Sequence, residues 1–454
     1  MTIEVTPVGV VCNLSCPYCY EHPLRDGGNF GNNKPYDVDK MIAAIESYNQ
    51  RFNFFGGEAL LTDIKDLEIM WKWGHEKFGM SGMQTNAVLM TDEHIELMGK
   101  YNVFPGISCD GPDDLNDSRW AGTLEKTRES TKKTMANIEK LSKLGRPPGL
   151  IITMWRGNVA KKNRTRFKEW LKWLDDLGVR SIRLHLQQMD YKSVEETVGV
   201  STEDAVEFAL DIWEFQSTQL KNIVFDMFDD VSKNLAGLDG TTSCIFNVCD
   251  IFTTDSVQGI DGQGNKTNCG RISKEGVDWI KTDDHGWERY VMLYNTPQEH
   301  RGCKDCRFFL ACKSNCPGTV IDADFRNRTV ECLHWKVLFS LYEKVMVENG
   351  QTPISLHPRR KEIEELTVEM WKRGINIYMK DALSIIENDV PVNEYLGFIE
   401  VIKNSNPQNN PNHLDHSDSN GDIKRKLTAF PNAMEYWKKY KGLSFGERPS
   451  HLKK

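Results

Sequence analysis

Along the first half of the chain, short apolar runs alternate with segments whose apolar residues recur every three to four positions. The runs cover 3–11 (IEVTPVGVV), 52–57 (FNFFGG), 82–88 (GMQTNAV), 103–111 (VFPGISCDG), 149–155 (GLIITMW) and 181–188 (SIRLHLQQ). Their length and β-branched or aromatic content predict strands. Between them lie amphipathic helical patterns. One begins after Asp37, an N-cap residue, and puts Met41, Ile42, Ile45 and Tyr48 on one face. Others cover about 91–101, 124–144 and 163–177. Six strands alternating with helices predict an α/β fold with a parallel sheet and right-handed crossovers. Such a sheet curls into a partial (β/α)6 TIM-type barrel, with its chemistry on loops at the C-terminal strand ends.

A long helical stretch is expected over about 201–236. The pattern then changes. Residues 240–340 are rich in Cys, Gly, Asn and Asp, with short strand-like pieces, as in a module stapled by metal clusters. From about 335 the pattern is helical again, until a polar segment at 404–422 that reads as loop or disordered chain. AMEYWKKY then predicts a short closing helix. The expected organisation is therefore 1–236 for the barrel, 237–340 for the cysteine-rich domain and 341–454 for a mainly helical extension. No internal repeat is present.

Composition narrows the function classes. The chain has 454 residues, a net charge of −8 and 27% charged residues. That acidic balance argues against a nucleic-acid partner. No run of about 18 apolar residues exists, so no membrane partner is expected. The N-terminal stretch lacks the basic and long apolar regions of a signal peptide, which points to a cytoplasmic protein. Twelve cysteines then need a purpose other than disulfides. They fall at 12, 16, 19, 109, 244, 249, 269, 303, 306, 312, 316 and 332.

Cys12, Cys16 and Cys19 are spaced C-x3-C-x2-C on the loop after the first strand. Three thiolates bind three irons of a [4Fe–4S] cluster and leave the fourth open to a chelating small molecule. A structural zinc site with a remote fourth ligand is the alternative. On these residues the chain resembles the radical S-adenosylmethionine (SAM) enzymes. Their signature has the same spacing, usually with an aromatic residue where Tyr18 stands, here a neighbour of the SAM adenine. FFGGEAL (54–60) resembles the family's GGE motif. By that resemblance Gly56 and Gly57 let the backbone approach the SAM amino group, and Glu58 accepts a hydrogen bond from it. QTNAVL (84–89) and SCDGP (108–112) resemble the QTNGxL and SxDGP motifs of the branch containing anaerobic sulfatase-maturating enzymes and peptide maturases. This implies cofactor contacts from Gln84 and Asn86, and a ribose contact from Ser108. A downstream arginine pairs with the SAM carboxylate: Arg119, one residue closer than the family spacing, or else Arg128. Leu186 or Gln187 borders the adenine. Cys109 lies between Ser108 and Asp110, so strand alternation turns it away as a small buried apolar residue.

The second array, CKDCRFFLACKSNC, runs from Cys303 through Cys306 and Cys312 to Cys316, and Cys332 follows. With Cys244, Cys249 and the G-x4-C ending at Cys269, it resembles the SPASM domain pattern. The resemblance implies two auxiliary [4Fe–4S] clusters, for three clusters in all. The first takes Cys244, Cys249, Cys269 and Cys316; the second takes Cys303, Cys306, Cys312 and Cys332. Two four-thiolate zinc sites are the alternative.

The implied reaction is reductive cleavage of SAM to a 5′-deoxyadenosyl radical, which abstracts hydrogen from a substrate. SPASM members act mostly on peptides. The expected activity is that of a radical SAM oxidoreductase and peptide maturase, making a crosslink or a backbone or side-chain modification in a ribosomally synthesised precursor peptide. The sulfatase-maturating branch, which forms formylglycine, uses an Asp directly after the cysteine equivalent to Cys269; here that position is Gly270. Sulfatase maturation is thus the second reading, and a non-catalytic iron–sulfur or zinc scaffold the third. Eleven residues precede Cys12, too few for a leader-recognition domain. A separate leader-peptide-binding protein or the C-terminal helices would then take that role, with flavodoxin or ferredoxin as electron donor. His185, Gln187 and Asp110 are candidates for proton transfer at the strand ends. Trp120 and Trp155 fall near the same site. In NHLDHSDSNGD, His413, Asp415, His416 and Asp418 tempt a metal reading. An EF-hand register would put Leu427 where Glu is required, so a solvated loop is expected.

Overall fold

The computed structural model describes residues 3–26, 35–187, 192–247, 249, 258–273 and 287–391. The polar segment 404–422, its His and Asp residues and the expected closing helix lie outside the described residues. The chain divides into two compact units: Met1–Met227 with Val257–Trp279, and Phe228–Ser256 with Ile280–Lys454.

The first unit is built on one sheet. Its strands are β1 (Ile3–Thr6), β2 (Phe52–Phe54), β3 (Ser81–Thr85), β4 (Val103–Ser108), β5 (Gly149–Thr153), β6 (Ser181–His185), β7 (Val224–Phe225), β8 (Gln258–Asp261) and β9 (Lys266–Asn268). They lie side by side in the order β7-β6-β5-β4-β3-β2-β1-β8-β9. Neighbours are parallel except the β8–β9 hairpin. The six predicted strands are all present, each shorter at its C-terminal end than its apolar run. In β1 the reason is local: Pro7 has no amide to donate, and Gly9 turns at φ +59°.

Side chains alternate across the sheet. Ile3, Val5, Phe52, Phe54, Ile107 and Ile152 are fully buried on one face. Each such side chain contributes about 1.5–3 kcal/mol through burial. Glu4, Asn53, Gln84, Ser108, Thr153 and His185 occupy the other face and are only partly covered. This polar face is concave. β1 and β6 are five strand steps apart, about 24 Å if the sheet were flat. Yet the Gly270 amide hydrogen-bonds Glu4 of β1, while the Arg271 guanidinium lies 3.3 Å from Nδ1 of His185 on β6. Two consecutive residues span that distance only because the sheet rolls into a partial barrel.

Helices close the crossovers where the periodicity predicts them: Val38–Tyr48, Asp92–Lys100, Leu124–Lys143 and Arg164–Asp176. Asp37 caps the first, accepting from the Lys40 amide at 3.1 Å. Two expectations need correction. The stretch 201–236 is not one helix but Thr202–Gln219 and Asp226–Leu235, with β7 between. The break is held by Asp175, whose buried carboxylate accepts from the amides of Lys221, Asn222 and Ile223 at 2.7–2.8 Å. And β8–β9, within the stretch assigned to the cysteine-rich module, extends the barrel sheet, because β8 pairs in parallel with β1.

The second unit packs Tyr290, Leu293, Phe309, Val368 and Trp371 in one apolar cluster. Helices Cys332–Glu348, Arg360–Lys372 and Met379–Glu387 follow in it, as the helical pattern from 335 predicts. A buried pair, Lys313 Nζ to Asp239 Oδ2 at 2.7 Å, is 2% and 3% exposed. Asp239 also accepts from the Met379 amide at 3.0 Å. Among the described residues, no helix is long and apolar enough to cross a membrane.

Replacing Asp175 by Ala leaves three backbone amides without their acceptor. We expect a loss of about 3 kcal/mol, at roughly 1 kcal/mol for each bond. Thermal unfolding should fall by roughly 6–12 °C, and Asp175→Asn, which keeps one carbonyl oxygen, should lose less.

Candidate active site

The cysteine loop leaves β1 through the turn at Gly9 and runs across the end of β2. The Gly57 amide donates to the Gly9 carbonyl at 2.8 Å, and the Glu58 amide to the Val11 carbonyl at 2.9 Å. A Cβ on Gly57 would stand 2.1 Å from the Val11 oxygen; one on Gly56, at φ +104°, would stand 2.6 Å from the Gly9 oxygen. The two glycines of GGE are therefore required by the close approach of the cysteine loop itself, independently of any ligand.

Glu58 is 1% exposed and already engaged. Its Oε1 accepts from the Leu60 amide at 3.0 Å and the Thr85 hydroxyl at 2.5 Å, and its Oε2 from the Asn86 amide at 2.8 Å. A carboxylate has about four acceptor sites, so one remains on Oε2 for an incoming ammonium group. Asn86 continues the chain of contacts, donating to Asn13 Oδ1 at 2.7 Å within the cysteine loop. The next residue, Ala87, adopts φ +59° with no exposed surface. This is the position where the resembling motif has Gly, and it supplies the physical reason for one.

Asp110 is the hub of the site. With 0% exposure it accepts from Arg119 Nη2 at 2.8 Å, the Thr153 amide at 2.8 Å, Ser118 Oγ at 3.3 Å and the Tyr18 hydroxyl. Its own amide donates to Asn116 Oδ1 at 2.8 Å. Both oxygens of Asp110, one of the candidates for proton transfer, thus carry two donors each. Tyr18 thereby ties the cysteine loop to β4 and β5, with the Arg119 guanidinium 5.9 Å from its ring centre. Arg119 is 9% exposed and its Nε has no partner among the described residues. Arg128 instead lies on Asp117, with its Nη2 at 2.7 Å. On the strand ends, Gln84 Nε2 donates to Ser108 Oγ at 2.8 Å.

Cys16 and Cys19 lie within electrostatic reach of each other and of Cys12. Burial pushes the Cys16 thiol up to about 12 and Cys19 to about 11, against the opposing pull of Arg119 on Cys16 and Arg25 on Cys19. Metal binding here must therefore displace protons. Among the described residues, no three His, Cys, Asp or Glu side chains converge tightly enough to hold a single metal ion. Three thiols on one loop can take three irons of a [4Fe–4S] cluster and leave the fourth open. Cys109 is fully buried, its thiol on the Gly111 carbonyl at 3.4 Å.

The barrel lumen holds further groups. His185 is driven well below its ordinary range by burial and by Arg271, Arg183 and Arg119. Since Arg271 can only donate, His185 Nδ1 accepts and its proton sits on Nε2. Gln187, 8% exposed at the end of β6, has neither amide atom partnered among the described residues. Leu186 beside it is partly exposed. Three residues escaped the sequence reading: Glu4, Glu21 and Arg271. Glu4 carried a signal, a charge in the middle of an apolar strand. Burial pushes both carboxyls up to about 7, Glu4 against the pull of Arg183 and Arg271, Glu21 with added repulsion from Glu4.

In the second unit, burial raises the thiols of Cys303 and Cys312, with added repulsion from Cys306 and Cys332 on both, so the four lie within electrostatic reach of one another. Lys313, Ser314 and Asn315 are all left-handed, at φ +47°, +61° and +59°. This turn separates Cys312 from Cys316 without the one-face spacing a helix would give. Cys244, Cys249 and Cys316 also belong to this unit, whereas Cys269 belongs to the first.

The sequence model of the Radical SAM superfamily matches residues 6–161, the stretch holding the cysteine loop, the GGE turn and the Asp110–Arg119 pair. The chain thus carries a radical SAM domain, and that family implies a [4Fe–4S] cluster and SAM. It is homologous to the anaerobic sulfatase-maturating enzymes. It is 31% identical over 157 residues to the serine-type enzyme of Bacteroides thetaiotaomicron, covering 32% of this chain and 37% of that enzyme's length. It is 20% identical over 348 residues to the cysteine-type enzyme of Clostridium perfringens, covering 70% of this chain and 88% of that one. The solved structure "Native anSMEcpe with bound AdoMet and Cp18Cys peptide" shares the fold at a TM-score of 0.56, with 16% identity, over 77% of this chain and 98% of that one.

Two outcomes follow for this site. Ala87→Gly removes a left-handed strain of about 1–2 kcal/mol, less the entropy of the freer unfolded chain. A net gain of up to about 1 kcal/mol should raise thermal unfolding by roughly 2–4 °C. Glu4 binds a proton in the folded state up to about pH 7 but loses it near 4.5 when unfolded. The folded state binds more protons in that window, so stability falls as pH rises through it. Glu4→Gln should therefore be more stable than wild type at pH 8 by about 1–3 kcal/mol and nearly equal to it at pH 5, as read by thermal denaturation.

Proposed function

We propose that the chain is a radical SAM/SPASM enzyme that modifies a ribosomally synthesised peptide by hydrogen-atom abstraction. The observation that carries this reading is the three-cysteine loop clamped onto the GGE turn, within the stretch that matches the radical SAM superfamily. When bound, the cluster and SAM supply, on one-electron reduction, the 5′-deoxyadenosyl radical. The chain's own residues bind and orient. Cys12, Cys16 and Cys19 would hold the cluster. The remaining acceptor site of Glu58 takes the SAM ammonium group, and the free Nε of Arg119 reaches for its carboxylate. Ser108, steadied by Gln84, meets the ribose. Tyr18, Leu186 and Gln187 border the adenine. His185, neutral with its proton on Nε2, offers a hydrogen-bond donor to the substrate.

Eight further cysteines support two auxiliary clusters, Cys244, Cys249, Cys269 and Cys316 in one and Cys303, Cys306, Cys312 and Cys332 in the other. The partners are a precursor peptide and an electron donor such as flavodoxin or ferredoxin, in the cytoplasm. A peptide substrate is supported by the relative whose solved structure is named with a bound peptide. Formylglycine formation is the second reading, favoured by the names of the relatives. Against it stands Gly270: the place of its missing side chain is filled, 2.6 Å from where a Cβ would be, by Glu21 Oε1 and the Tyr20 ring.

Anaerobically reconstituted protein should hold about twelve irons per chain, four for each cluster. The triple variant Cys12→Ala, Cys16→Ala, Cys19→Ala should hold about eight; a wild-type count near four overturns the auxiliary assignment. Incubation with the precursor peptide should yield a product lighter by two hydrogens without a hydrazide-reactive aldehyde. An aldehyde would move the assignment to formylglycine formation.

A further inference from the structure

The lumen side of β1, β8 and β9 borders a half-open cavity of about 820 Å³, lined by residues of the first unit. None of the residues assigned to SAM lines it. Its size falls within the range of small-ligand sites, about 300–1,000 Å³. Two features set its chemistry. Val8, Val10, Leu24 and Phe55 give it apolar walls, and Glu4 and Glu21 place two carboxylates in it. Glu21 is 7% exposed, and its Oε2 has no hydrogen-bond partner among the described residues. A buried carboxylate oxygen left without a donor is costly, and a donor entering the cavity removes that cost. Asp261 also lines the cavity, but its carboxylate already accepts from the amides of Gln263 and Asn265 and from the Asn265 side chain, all at 2.8–2.9 Å.

Arg183 and Arg271 draw on the Glu4 carboxyl and Arg25 on that of Glu21, yet Glu21 Oε2 has no hydrogen-bond donor among the described residues. Arg183 donates to Asp226 at 2.8 Å, Arg271 lies against His185, and Arg25 donates to the Leu14 carbonyl at 3.2 Å. A hard divalent cation takes six or more oxygens, and among the described residues no three acidic or metal-binding side chains converge in this cavity. An organic cation fits, since it needs only directed acceptors and a place for its carbon stem.

We infer that this cavity is a subsite for a protonated amine or guanidinium on an aliphatic stem, a Lys or Arg side chain of the peptide substrate, held by Glu21 Oε2 and Glu4. The inference rests on the peptide-modifying reading above and deepens it: the substrate carries a basic residue near the modified position. Gly270 serves the same subsite, because any Cβ there would push Glu21 Oε1 from its place.

The test uses reconstituted full-length protein with SAM and three probes: acetyl-lysine amide, acetyl-arginine amide and the neutral acetyl-norleucine amide. Equilibrium dialysis should show at least one cationic probe bound about tenfold or more tighter than norleucine, the scale of a charge-assisted bond. Glu4→Gln and Glu21→Gln should each reduce that preference while leaving norleucine binding nearly unchanged. A merely structural role would weaken all three probes alike. Equal binding of cationic and neutral probes to wild type overturns the inference, as does a preference that survives both substitutions. If Glu21→Gln loses iron, the wild-type ratio and Glu4→Gln still decide. SAM cleavage, measured separately, keeps the two readings apart: cleavage without cation preference overturns only the subsite, and cation preference without cleavage overturns only the catalytic reading.

Discussion

The fully buried carboxylate of Asp110 holds the site together. Burying an ion costs several kcal/mol unless partners surround it. Here Arg119, Tyr18, Ser118 and the Thr153 amide all donate to it. Those donors come from the cysteine loop, from the segment after β4 and from β5. One side chain thus fixes the loop bearing three thiols relative to the strands that carry Gln84 and Ser108. It also commits one face of Arg119 and leaves Nε open, so the arginine is oriented before any ligand arrives.

The same economy of donors and acceptors runs through the neighbouring motif. Glu58 caps the turn at Ala59–Leu61 and receives Thr85 and Asn86 before it can serve a ligand. Gly57 has no room for a side chain because the Val11 carbonyl is there. Motif residues read as ligand contacts are first of all the parts that lock the cysteine loop to β2 and β3. Their two roles are compatible, since one Oε2 site and the outward-facing strand ends remain free.

Much of this was legible in the chain. Six strands and the helices between them followed from apolar periodicity, and the cysteine loop announced itself by spacing. What escaped depends on pairs far apart in sequence. Asp175 breaks the helical stretch near 220 through three amides some 46–48 residues away. β8 joins β1 across more than 250 residues. Glu4 passed unremarked within an apolar strand, because only the curl of the sheet brings Arg271 and Glu21 within reach of it. Asp110 was visible as part of SxDGP, but not as a fully engaged carboxylate, because Tyr18 and Thr153 reach it only in the fold.

Radical SAM chemistry at the cysteine loop is the central claim, and it can be measured without knowing the substrate. Reconstituted protein, reduced with dithionite and supplied with SAM, should release 5′-deoxyadenosine and methionine in equal amounts, detected by chromatography and mass spectrometry. Substituting Cys16 by Ala should abolish both products. A wild-type protein that holds its full iron yet releases no 5′-deoxyadenosine would contradict the account.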